Sequence, residues 1–141
     1  EMENSGILRQ LLSRFLLEAQ PLHQQIDNRI ETVLQYIHNH SNETIAIDTL
    51  AESCHLSKDH FIRLFKNELH TTPARYMIRK KIESAQLRLL INQEPIATTA
   101  YQLGFENISY FNRLFKKETG ISPGTYKNQM KNSGRRTKFN P

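Results

Sequence analysis

The chain has 141 residues, 38% of them hydrophobic, and no long apolar run, which excludes a membrane-spanning helix and leaves material for one or two small cores in a soluble protein. The N-terminus does not combine a basic start with an apolar block, so no secretory signal is expected, and Cys54, the only cysteine, excludes an internal disulfide and fits a reducing cytoplasm. Charge is unevenly spread: residues 1–57 hold three bases against eight acids and residues 58–141 sixteen against six, so −5 sits beside +10 and the basic part suits a polyanion such as a phosphate backbone.

Glycine is scarce, and apolar residues recur at three- and four-residue spacing almost throughout, so an all-α chain is expected. Ile7, Leu8, Leu11, Leu12, Phe15 and Leu16 form the stripe of an N-terminal amphipathic helix that ends ahead of Pro21. A second helix starts with Asp27 as N-cap, buries Ile30, Val33, Leu34 and Ile37, and stops in the polar run from His38 to Thr44.

From Ile47 onward the sequence repeats itself. Ile47, Leu50, Ala51 and Leu56 match Ile96, Thr99, Ala100 and Phe105 at an offset of 49. The offset then becomes 50: Phe61 matches Phe111, Arg63-Leu64-Phe65-Lys66 matches Arg113-Leu114-Phe115-Lys116, and Thr72-Pro73 with Tyr76 matches Ser122-Pro123 with Tyr126. One structural unit is used twice, with one residue inserted in the second turn. Within each unit a short helix (48–54; 97–103) precedes a tight turn and a longer helix (57–68; 107–118), which is helix-turn-helix geometry. Cys54, between Ala51 and Leu56, reads as a small core residue rather than a nucleophile. Gly104 is suited to end a helix in the left-handed region. Thr72 and Ser122 are N-cap hydroxyls, each before a proline at the first helical position. Between the units, residues 74–91 form a connector whose Ile78, Ile82, Ala85 and Leu89 keep the spacing of one buried stripe. Residues 127–141 lack that periodicity and read as a basic tail, flexible from residue 131.

On the helix from Ser57, packing Phe61, Leu64, Phe65 and Leu69 inward leaves Lys58, Asp59, Ile62, Arg63 and Lys66 outward. The second copy presents Ile108, Ser109, Asn112, Arg113 and Lys116. Arginine donates bidentately to guanine O6 and N7, which suits Arg63 and Arg113, and Asn112 matches the donor and acceptor of adenine. Ile62 and Ile108 suit thymine methyl groups or a minor packing role. Asp59 accepts from cytosine N4 or stabilises the helix dipole from the first turn. Lys58, Lys66, Ser109 and Lys116 are candidate phosphate contacts. No set of His, Cys or carboxylates has ligand spacing for a metal, no glycine-rich phosphate loop is present, and no nucleophile is paired with a base, so neither a cofactor nor enzymatic activity is expected. A helical protein-interaction module with an incidental basic surface is the competing reading.

The stretch from Ile96 to Lys127, IATTAYQLGFENISYFNRLFKKETGISPGTYK, resembles the AraC/XylS family of transcription regulators, and the resemblance extends over residues 26–130. It implies a seven-helix, double helix-turn-helix DNA-binding domain that places its two second helices in successive major grooves of double-stranded DNA. It also implies base reading by Asp59, Ile62 and Arg63 in the first unit and Ile108, Asn112 and Arg113 in the second. Activation through RNA polymerase and homodimerisation through an N-terminal sensory domain are further implications. The expected organisation is a linker helix over 1–25, the remnant of such a domain, a first unit with connector over 26–91, a second unit over 92–130, and the tail.

Overall fold

A computed structural model describes residues 10, 11, 14 and 26–136. The expected N-terminal stripe lies outside the described residues except for Leu11, which is helical and exposed, and the tail beyond Arg136 lies outside them as well. Among the described residues from Ile26 there are seven helices and no strand: α1 (Asn28–Asn39), α2 (Ile47–Ser53), α3 (Lys58–Leu69), α4 (Pro73–Ile91), α5 (Ile96–Gln102), α6 (Ile108–Thr119) and α7 (Pro123–Arg136).

The helix starts follow the sequence signals. The Asp27 carboxylate accepts from Arg29 N at 2.9 Å, and the Thr72 and Ser122 hydroxyls accept from Arg75 N and Thr125 N at 3.3 and 3.2 Å. Each cap satisfies one of the amide donors that the first turn leaves without an intrahelical partner.

Two cores form. The first gathers Ile30, Val33 and Ile37 of α1, Leu50 and Ala51 of α2, Cys54, and Phe61 and Phe65 of α3. The second gathers Ile82, Ala85 and Leu89 of α4, Ala100, Leu103, Phe105, and Phe111 and Phe115 of α6. Each is organised by the same aromatic ladder. The rings of Phe61, Phe65 and Tyr76 meet in tilted and edge-on contacts at 5.9 and 5.5 Å, and those of Phe111, Phe115 and Tyr126 at 5.8 and 5.5 Å. A buried phenylalanine contributes roughly 1.5–3 kcal/mol through removal of apolar surface from water, so each ladder is a large share of its small core.

Two sequence expectations are corrected. The connector, grouped above with the first unit at 26–91, gives Tyr76 and Met77 to the first core, but its whole buried stripe, including half-buried Ile78, belongs to the second. One helix therefore closes the first unit and serves as the first helix of the second, the place that α1 takes in the first. The unstructured tail expected from 131 also gives way, because α7 continues to Arg136. Tyr126 anchors its first turn to the second core. Lys127, Gln129, Met130 and Lys131 are good helix formers that carry the helix on.

Candidate nucleic-acid interface

Both longer helices are set by the same devices. The Ser57 hydroxyl accepts from His60 N at 3.3 Å at the start of α3, and Asn107 Oδ1 accepts from Tyr110 N at 3.0 Å at the start of α6. At the other end, His70 and Gly120 take left-handed conformations, φ 58° and 86°, and each donates its amide to the carbonyl of Lys66 or Lys116. Phe61 and Phe65, and Phe111 and Phe115, are completely buried, so the azimuth of each helix is fixed and its opposite face is turned to solvent.

Of the residues singled out in sequence, Lys58, Asp59, Arg63 and Lys66 are exposed on α3, and Ser109, Asn112, Arg113 and Lys116 on α6. Ile108 is half-buried, and Ile62 is half-buried against the first core, which gives Ile62 a definite packing role. Lys58 lies 3.7 Å from Asp48 of α2 in an exposed ion pair, worth little in water. Among the described residues Arg63, Lys66, Arg113 and Lys116 have no acidic partner, so their charges remain available to a ligand. Each helix thus offers a polar, cationic strip opposite a rigid aromatic anchor.

One residue of this surface escaped the sequence reading. Tyr110 is 44% exposed on α6 and lies between Phe105 and Arg113, with its ring 6.3 Å from the Phe105 ring and the Arg113 guanidinium 5.8 Å from its centroid. Aromatic-to-arginine spacing at i, i+3 was the available signal.

Where the units meet, Gly104 of the second turn (φ 84°) lies against the loop after α1, and a β-carbon built there would come within 2.8 Å of the Asn42 carbonyl oxygen. Lys81 of α4 lines the same place, its ammonium 5.4 Å from the Phe105 ring, and partial burial holds its pKa below the usual lysine range. No described helix is long and apolar enough to cross a membrane.

A family profile described as a helix-turn-helix domain matches residues 50–129. The chain is 35% identical over 125 residues to the arabinose operon regulatory protein of Escherichia coli K12, a match that covers 86% of this chain and 42% of that protein. It thus spans less than half the length of that relative. Among solved structures, the C-terminal domain of AraT, a response regulator from Geobacillus stearothermophilus, superposes with a TM-score of 0.71 at 26% identity, covering 75% of this chain and 88% of that one. The DNA-binding domain of AdpA, a global transcriptional factor solved in complex with a target DNA, shares the fold with a TM-score of 0.71 at 22% identity, over 79% of this chain and 98% of that one.

Proposed function

Because this chain belongs to the AraC-type helix-turn-helix family of DNA-binding transcription regulators, we propose that it reads one composite site with α3 and α6 in successive major grooves. The observation that supports this reading is the duplicated face: two capped helices of twelve residues, each anchored by a buried phenylalanine pair, each presenting an arginine and a lysine without an acidic partner among the described residues. The 19-residue connector is about 28 Å long at ~1.5 Å per residue, compatible with a separation near one DNA turn of ~34 Å once helix radii are added.

In this reading Arg63 and Arg113 donate to guanine, Asn112 pairs with adenine, and Ile108 and the exposed edge of Ile62 touch thymine methyl groups. Asp59 chiefly stabilises the first turn of α3, and Lys58, Lys66, Ser109 and Lys116 hold phosphates. Activation through RNA polymerase, homodimerisation through an N-terminal portion, a cytoplasmic location and the absence of catalysis belong to the same proposal.

Selection of bound duplexes from a random DNA pool tests it. Two dissimilar elements about one helical turn apart are expected, with affinity falling steeply as salt rises. A pool that stays random after selection, or one that converges on a single short element, would overturn the two-helix reading.

A further inference from the structure

The Tyr110 ring is poorly explained as core, since it is 44% exposed, and poorly explained as a solvated residue, since it is a large aromatic held on two sides. Phe105, itself 8% exposed, lies against it at 6.3 Å, and Lys81 caps Phe105 from the connector at 5.4 Å. The Arg113 guanidinium lies over the Tyr110 ring, 5.8 Å from its centroid. A chain of contacts thus runs from α4 through the inserted turn to the tip of an exposed arginine.

We infer that Tyr110 is a positioning residue for Arg113, a ring that holds the guanidinium over α6 so that its edge is aimed before DNA arrives. The inference rests on base reading by Arg113 as proposed above. A free arginine side chain samples many rotamers, and ordering it on binding costs entropy; stacking on a fixed ring removes part of that cost beforehand. Cation–π contact engages the face of the guanidinium and leaves its N–H edge free to donate in plane, the geometry that a guanine requires. In the first unit His60 stands at the equivalent position, and among the described residues no ring–cation contact forms at Arg63. Tyr110 therefore sharpens the second reading head and has no counterpart in the first.

The test measures Kd of the full chain for a selected duplex and for duplexes with each base pair changed in turn, in Tyr110→Leu, Tyr110→Phe, Arg113→Ala and the double variant Tyr110→Leu/Arg113→Ala. Tyr110→Leu is expected to reduce discrimination by about two- to fivefold, the scale of an exposed cation–π contact, at the one base pair that Arg113→Ala relaxes. Tyr110→Phe keeps the ring and should retain that discrimination, and Tyr110→Leu should be silent once Arg113 is alanine. Equal weakening on every duplex by Tyr110→Leu would overturn the inference in favour of a structural role. Loss by Tyr110→Phe as large as by Tyr110→Leu would overturn it in favour of a hydroxyl contact to DNA. If Arg113→Ala relaxes no base pair, base reading itself falls, a result distinguishable from either of the others.

Discussion

The two units of this chain share an architecture and differ at the positions where that architecture is most demanding. Both need a left-handed residue after the short helix and another after the long one; the second unit supplies Gly104 and Gly120, whereas the first uses His55 and His70 at φ 56° and 58°. A β-carbon in that region costs roughly 1–2 kcal/mol, so at these two turns the first unit holds local strain that the second avoids, while Gln93 at φ 50° brings one such residue to the start of the second unit. The polar and apolar residues around the end of the long helix are also exchanged. The Thr119 hydroxyl in the second unit lies within hydrogen-bond distance of the carbonyls of Phe115 and Ile121, at 2.7 and 2.9 Å, and apolar Ile121 stands two residues on. The first unit has Leu69 at the former position and Thr71 at the latter, where the buried Thr71 hydroxyl oxygen has no hydrogen-bond partner among the described residues. The same aromatic ladder at nearly the same spacings tolerates these differences, so the fold is carried by its buried rings and caps, and the turns tune its stability.

The largest effect that would sharpen this comparison lies at the glycines. Gly104→Ala combines a left-handed conformation with a backbone clash against Asn42, whereas Gly120 has nothing within 4 Å of an added β-carbon. We expect losses of about 2–4 kcal/mol for Gly104→Ala and about 1 kcal/mol for Gly120→Ala in urea unfolding. Equal losses would mean that contact between the units adds nothing at Gly104.

Next in size are the reading heads. Arg113→Ala should cost about 1–3 kcal/mol on the selected duplex and relax one base pair, while Lys116→Ala should weaken all duplexes alike and lower the salt slope by about one. Asn112→Ala should relax a further position, whereas Ile62→Ala, at the equivalent place in the first unit, should mainly lower stability because Ile62 packs on the core. Loss of base preference in Ile62→Ala with unchanged stability would erase that asymmetry.

Thr71→Val should raise stability by about 1 kcal/mol, because it replaces a buried hydroxyl that has no partner with a methyl group of similar shape. A calorimetric Tm unchanged or lowered would show that the hydroxyl is satisfied in solution.

The smallest effect concerns the start of the first unit. Hydrogen bonds from the Arg29 side chain and amide to the Asp27 carboxylate hold its pKa at about 2, down from 3.8. A depressed carboxylate stabilises the folded state above its unfolded pKa and loses that contribution as pH falls through the folded value, so the effect fades between about pH 4 and pH 2. A carbon-detected titration of Asp27 with a midpoint near 4 would remove this cap from the account. Among the described residues the second unit has no corresponding pair, since its first helix, α4, begins back in the first unit at Pro73.

Much of this was legible in the sequence because it is local. Helix caps depend on residues three apart, and amphipathic stripes on residues three and four apart, so Asp27, Thr72, Ser122 and the two phenylalanine pairs announced their roles directly. The repeat placed the two exposed faces for the same reason, since fixing the buried side of a helix fixes the opposite one.

What only the tertiary structure decided depends on groups far apart in sequence. Periodicity marks Ile78, Ile82, Ala85 and Leu89 as buried without saying against which unit, and only the folded chain assigns them to the second core. The same holds for the half-burial of Ile62, the approach of Gly104 to Asn42 and the unpartnered hydroxyl of Thr71. The sequence by itself determined that there are two helix-turn-helix units and which faces they bury, because side-chain pattern and backbone caps act within one or two turns. Which core each shared element joins, and how firmly each exposed arginine is held, required the packing of those turns against one another.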